Sequence, residues 1–354
     1  MGKSGSFGNY EAEIRVNTEP PESITATVGA IVIATGFDSY QPEAGEFGYG
    51  VPGVLALPEF KTLVDASDGA LTYNGKPVRT VAYVYCVGSR QPGGNEYCSK
   101  FCCAATVHAS IQVANLDPSI HQYHLNRDIR TYGKYELMYT ESRERGSVFI
   151  RFPDDSPPTV ESAADGRLKV TVVDALTGGE ELTLPTDLLV LVTGMVPRAN
   201  EGLTGLLKLP VGDDGFYNEI HPKLRPVETV VDGVMIAGAC QGPKTATECV
   251  ASGLSAVTQS LAILKKGVAE LDPLVATVHQ SACTGCRDCL SACPYDAIGM
   301  TQVEGRDVAL VSAAVCKGCG GCVPLCPEDA LDLLGYTDVQ MTAMIDGLME
   351  VPVS

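Results

Sequence analysis

Cys283-Thr284-Gly285-Cys286-Arg287-Asp288-Cys289-Leu290-Ser291-Ala292-Cys293-Pro294 and Cys316-Lys317-Gly318-Cys319-Gly320-Gly321-Cys322-Val323-Pro324-Leu325-Cys326-Pro327 are two copies of one pattern, C-x2-C-x2-C-x3-C-P. That spacing is the one that holds [4Fe–4S] clusters in bacterial-type two-cluster domains. Three thiolates on one tight loop can cap three corners of a cube. The fourth iron takes its thiolate from the last cysteine of the opposite run. The expected sets are therefore Cys283, Cys286, Cys289 and Cys326, and Cys316, Cys319, Cys322 and Cys293. Gly285, Gly318, Gly320 and Gly321 are expected to let the backbone approach the sulfides without an intervening Cβ. A zinc site would split its cysteines into separated pairs, and a disulfide framework suits a small secreted domain. Neither rival fits two tandem runs. The stretch points to electron transfer.

The rest of the composition is compatible with that chemistry. A chain of 354 residues, 45% hydrophobic and 19% charged, has room for two soluble domains. A net charge of −18 argues against nucleic acid as a partner. Fourteen cysteines, most of them at ligand spacings, imply a reducing, oxygen-poor cytoplasm. No apolar run approaches the roughly 18 residues of a transmembrane span, and the N-terminus has no signal-peptide core. Met1 to Ser6 fits the short N-myristoylation pattern.

Upstream, Met1 to about Pro21 reads as the incomplete beginning of a domain, with no G-x-G-x-x-G loop behind a first strand. Gly29 to Gly36 is a continuous apolar run, expected as a strand buried on both faces of a parallel sheet. It ends in Ala34-Thr35-Gly36. A strand over Thr80–Tyr85 then meets Cys86-Val87-Gly88-Ser89-Arg90, where a nicotinamide-binding domain would carry its phosphate loop. Cys98, Cys102 and Cys103 follow. Cys86, Cys98, Cys102 and Cys103 read as ligands of a third cluster, with a redox dithiol or a zinc site as alternatives. Helices are expected over Phe101–Asn115 and Tyr135–Arg145, and strands at 120–125, 148–152, 168–173 and 188–192. His108, His121, His124, His221 and His279 lack metal-ligand spacing and read as structural or exposed.

The second informative stretch is Gly233 to Lys244, where a buried strand runs into a glycine turn. A helix follows, announced by the capping box Thr245-x-x-Glu248. Its N-terminal N–H groups suit the negative charge of a reduced flavin ring.

Taken together, Cys86 to Arg90 with Cys98, Cys102 and Cys103, then Asp128-Ile129-Arg130, then Gly238 to Lys244, then the twin runs, resemble the HdrA component of heterodisulfide reductase, C-terminal part only. The resemblance implies an α/β, thioredoxin-reductase-like flavoprotein domain with an incomplete N-terminal half over 1–267. An α+β ferredoxin domain with two [4Fe–4S] clusters follows over 268–354. It implies three [4Fe–4S] clusters and an FAD shared with a partner chain that supplies the missing half. The FAD contacts expected here are Thr35, Gly36, Gly238, Gln241, Gly242, Pro243, Lys244 and Thr245. The implied function is electron transfer, with electron bifurcation in the family's complexes, inside a cytoplasmic oxidoreductase. Other subunits of the complex, and ferredoxin or another electron carrier, would be its partners. The rival from another class is a docking subunit with a ferredoxin tail and no flavin. A free-standing NAD(P)H flavoenzyme is disfavoured, because cysteines occupy the nucleotide loop after Tyr85.

Overall fold

The computed structural model describes residues 2–350. Met1, on which the myristoylation pattern depends, lies outside them, as do residues 351–354.

The stretch from Gly2 to about Pro21, expected as the incomplete beginning of a domain, is mostly strand. Gly2–Ser6, Asn9–Val16 and Glu22–Val28 form a three-stranded antiparallel sheet. Ser6 pairs with Asn9, so Phe7 and Gly8 alone make the first hairpin turn, with Gly8 in the left-handed region. The signal was the alternation in Tyr10-Glu11-Ala12-Glu13-Ile14, which buries Tyr10. The expectation for Gly29–Gly36 is corrected. Only Ile31–Ile33 of the Gly29–Gly36 run is strand, and among the described residues it pairs, in parallel, with Val234–Ile236 alone. Val32 is 43% exposed, because this two-stranded sheet leaves one face uncovered.

A five-stranded parallel sheet forms the larger core. Its spatial order is Val148–Arg151, His121–Asn126, Thr80–Val87, Leu188–Thr193, Val54–Ala56. The central Thr80–Val87 alternates faces as a strand must. Val81, Tyr83 and Tyr85 pack beneath helices α1 (Leu57–Asp65) and α2 (Cys102–Leu116). Ala82, Val84 and Val87 pack on an antiparallel meander of 159–162, 168–174 and 180–186, whose last turn holds Gly178 and Gly179 at positive φ. Helix α3 (Tyr135–Glu144) lies along α2.

Helix α4 (Glu201–Leu207) precedes the strand Val234–Ile236, which leads into one 3₁₀ turn, Gly238–Gln241. Helix α5 (Ala246–Lys266) then starts at the expected capping box and ends on left-handed Gly267. Val250, Leu254, Val257, Leu261 and Leu264 are all exposed along it. Their 4-3-4-3 spacing makes one apolar stripe.

Beyond Gly267 a smaller unit holds the twin runs. Two antiparallel pairs, 276–278 with 331–333 and 298–303 with 306–311, frame helix α6 (Asp288–Ala292). Helix α7 (Asp338–Glu350) closes the described chain.

Candidate metal centres and an adjoining cavity

The two cysteine runs meet by exchanging their last members. Cys283, Cys286 and Cys289 line one cavity together with Cys326. Cys316, Cys319 and Cys322 line another together with Cys293. Burial pushes the Cys289 thiol up, and Cys286, Cys283 and Cys326 beside it raise it further. Cys322 is raised in the same way by burial, with Cys316, Cys319 and Cys293 as neighbours.

The two halves repeat in detail. Ala297 N–H donates to Cys293 Sγ at 3.3 Å, and Ala330 N–H to Cys326 Sγ at 3.2 Å. Each alanine follows a left-handed aspartate, Asp296 or Asp329. Ala309 N–H reaches Cys283 Sγ at 3.4 Å and Ala276 N–H reaches Cys316 Sγ at 3.5 Å. Backbone donors aimed at sulfur favour its charged form, the form that ligates iron. Among the described residues, no three His, Cys, Asp or Glu side chains could hold a single metal ion. A cubane spreads its four thiolates over four irons, and four sulfurs around one cavity fit that geometry.

The role expected for the glycines is corrected in part. Gly285 and Gly318 are left-handed, and a Cβ on either would strike a backbone carbonyl, that of Asp307 or Leu274. They let a neighbouring segment close on the cysteine loop. Only Gly321 lies near a ligand sulfur, its Cβ position 3.9 Å from Cys319 Sγ. Gly320 matches Arg287 of the first run, which holds the same left-handed conformation with a side chain.

The third set is assembled by a break in strand regularity. Leu191 pairs with Val84 but Thr193 pairs with Val87, so the strand 80–87 carries an extra residue there. Cys86 takes φ 65°, which turns it to the same face as Tyr85. A bulge re-aims a side chain in this way. It puts Cys86 against Cys102 and Cys103 at the start of α2, all three buried. Cys98 is near enough to raise both Cys86 and Cys102 electrostatically. Burial drives the Cys86 thiol up to about 11. A hydrogen bond from Cys102 lowers Cys103 and raises Cys102.

Three arginines surround this set, and sequence reasoning gave them no individual role. Arg90 donates to Cys86 Sγ at 3.9 Å and pairs with Asp128. Arg127 donates to the Arg90 carbonyl at 2.7 Å, and Arg130 shares Asp128 while hydrogen bonding to Cys98. The connecting loop is pinned by buried hydroxyls: Ser99 N–H donates to Ser89 Oγ at 3.2 Å, and Met195 N–H to Ser99 Oγ at 2.8 Å.

The residues expected to touch a flavin divide into two groups. Thr35 and Gly36 line a cavity of about 620 Å³ with Arg198, Asn200, Tyr217 and Cys240. Gln241 is spent inside the chain, its amide donating to the Pro226 carbonyl and accepting from Ser252 Oγ, both at 2.7 Å. Thr245 is likewise the cap of α5, accepting from Glu248 N–H at 3.3 Å. Gly242 has φ 138° and ψ 174°, a conformation essentially reserved for glycine, with open space beyond its Cβ position. Lys244 is half-buried, and burial lowers its pKa. No G-x-G-x-x-G loop joins a strand to a helix among the described residues. The string Gly48 to Gly53 has those letters but leads into the strand Val54–Ala56.

The cavity and the third set adjoin. Phe37, next to Gly36, packs its ring 5.5 Å from that of Phe101, next to Cys102. Lys100 pairs with Glu248 in the first turn of α5 at 3.2 Å, and Tyr132 bonds to Thr245 and Glu248.

A family model described as a 4Fe-4S dicluster domain matches residues 282–330. One of two CoB–CoM heterodisulfide reductase iron-sulfur subunits of the HdrA type from Methanopyrus kandleri is 36% identical over 94% of this chain and 51% of its own length. Its counterpart from Methanocaldococcus jannaschii is 37% identical over 94% of this chain and 52% of its own. Thioredoxin reductase of T. acidophilum superposes with a TM-score of 0.44 at 14% identity, over 74% of this chain and 72% of that one. The chain spans about half the length of the curated relatives it matches. By sequence, it matches the C-terminal part of the HdrA iron-sulfur subunits of heterodisulfide reductase, over about half of their length.

Proposed function

We propose that this chain is an electron-transfer component of a heterodisulfide-reductase-type oxidoreductase, working within a complex. Two domains, 1–267 and 268–354, share the task. Cys86, Cys98, Cys102 and Cys103 would hold one [4Fe–4S] cluster, and the two exchanged sets would hold the others. Thr35, Gly36 and the segment Gly238–Thr245 would face an FAD whose pyrophosphate is held by protein outside this sequence. When bound, the clusters pass single electrons, while the flavin exchanges one or two.

One observation carries this reading: the Cys102 helix start and the segments offered to the flavin touch through Phe37–Phe101 and Lys100–Glu248. That contact suits exchange between two neighbouring redox groups. Arg90, Arg127 and Arg130 supply positive charge where thiolates and sulfides accumulate negative charge. The bulge at Cys86 and the Ser89–Ser99 bonds hold the ligand positions.

The exposed stripe of α5 and the bare face at Val32 support a partner covering this side. No helix among the described residues is long and apolar enough to cross a membrane. We place the complex in the cytoplasm, exchanging electrons with ferredoxin or a similar carrier. Anaerobic purification with its partners tests the proposal through flavin and iron content. A complex without flavin would instead support a docking subunit with a ferredoxin tail. Splitting of an electron pair is the finer reading, tested by whether one donor reduces a low- and a high-potential acceptor together.

A further inference from the structure

The two exchanged cysteine sets are alike in fold but not in surroundings. A cleft between the ferredoxin unit and the rest of the chain is lined by Lys3, Tyr10, Leu207 and Lys208 on one side. Tyr295 and Lys317 line it on the other, and both also line the Cys316 cavity. No residue lining the Cys283 cavity reaches this cleft. The two ion pairs across it tell the same story. Lys317, between Cys316 and Gly318, pairs with Asp232, and Lys208 reaches Asp296, beside the Cys293 run, at 2.9 Å. The Lys317 side chain is only 17% exposed. Tyr10 donates to the Asp232 carbonyl, tying this anchor to the N-terminal sheet.

The far side of the cleft leads to the large cavity. Thr204 and Gly205 of α4 line that cavity, while Leu207 and Lys208 at its end line the cleft. Tyr10, Leu207, Tyr217 and Cys240 belong to one buried cluster that spans both. A single short helix and its packing thus separate the cavity from the Cys316 set.

Resting on the ligand sets proposed above, we infer that the Cys316 set with Cys293 is the inner relay toward the cavity. The Cys283 set with Cys326 is the outer one, meeting a ferredoxin-type carrier. Lys317 and Asp232 are the positioning residues that seat the inner set. In each transfer the reduced carrier loses one electron and the outer cluster gains it, with no bond made or broken. The inner cluster then receives that electron.

A cation close to a cluster stabilises its more negative, reduced state. In the anaerobic full-length chain with clusters in place, Lys317→Met should therefore lower the midpoint potential of the inner set alone. Asp232→Asn should raise it. A tenfold change in the equilibrium constant corresponds to 59 mV for one electron. Lys317→Arg should restore the original value, which a merely structural role would not require. Paramagnetic resonance with Cys286→Ser and Cys319→Ser assigns each signal to its set. Potentials moving together, or only in the outer set, would overturn the role of Lys317.

Order is read by mixing with chemically reduced bacterial ferredoxin and freezing at intervals. Loss of the outer cluster in Cys326→Ala should slow reduction of the inner one at least tenfold. Loss of the inner cluster in Cys293→Ala should leave the outer one reducible. The opposite pattern overturns the inner and outer assignment. Iron lost from the wrong set in either variant would instead count against the ligand sets themselves.

Discussion

Cys326, the last cysteine of the second run, lies beside Cys289 of the first run on the wall of one cavity. Cys293 stands in the same relation to Cys322. Each cavity is therefore walled by cysteines of both runs.

Exchange of the fourth ligand predicts crossed damage. Cys293→Ala should deplete the cluster of Cys316, Cys319 and Cys322, and Cys326→Ala that of Cys283, Cys286 and Cys289. Resonance spectra showing damage confined to the mutated run would refute the pairing.

The three cluster sites proposed above predict about 12 iron atoms per chain after anaerobic purification. Cys102→Ala or Cys103→Ala should remove about one third of that iron and leave the signals of the twin runs in place. Iron at about eight in the unaltered chain would mean that the Cys86 set holds no cubane.

The flavin prediction rests on Gly242, whose backbone no branched residue adopts without strain of roughly 1–3 kcal/mol. In the complex purified with its partners, about one FAD per chain is expected; in the chain alone, little. Gly242→Val should expel FAD from the complex while cluster iron stays, since no cysteine is touched. Full FAD in the isolated chain would show that the partner is dispensable for binding.

His124 predicts an acid-sensitive core. Its ring stacks between Tyr83 and Phe149, 4.5 and 4.2 Å from their centroids, and Nδ1 meets the Tyr85 hydroxyl at 2.8 Å. Burial lowers its pKa from 6.5 to about 3. The unfolded chain therefore binds a proton that the folded chain refuses between those values. Stability should be fully present above pH 6.5 and fall as pH drops toward 3, by about 1.4 kcal/mol per unit in that window. His124→Phe should flatten this dependence, at the cost of the Tyr85 hydrogen bond. Denaturant titrations at several pH values check it, and an unchanged slope in the variant would assign the acid loss elsewhere.

Much of this protein was legible in the one-dimensional string, for reasons of local chemistry. Cubane ligands need fixed spacing along a loop, so Cys283–Pro294 and Cys316–Pro327 can be read as a 4Fe-4S dicluster region from spacing alone. Thr245 and Glu248 marked a helix start because a capping box is closed within four residues. Tertiary structure alone decided the rest. Whether Gly29–Gly36 is buried on both faces depends on which strands lie beside it, and among the described residues only Val234–Ile236 does. The gathering of Cys86 with Cys102 and Cys103 depends on a bulge against Leu191–Thr193, far away in the chain. Gln241 reads as a flavin contact in the sequence, yet Pro226 and Ser252 take its hydrogen bonds. Two identical spacings became unequal sites because Lys317 finds Asp232 across the cleft, while Arg287 of the first run pairs with Asp307 inside its own unit. Spacing sets what a loop can bind; the long-range contacts around it set which neighbour it serves.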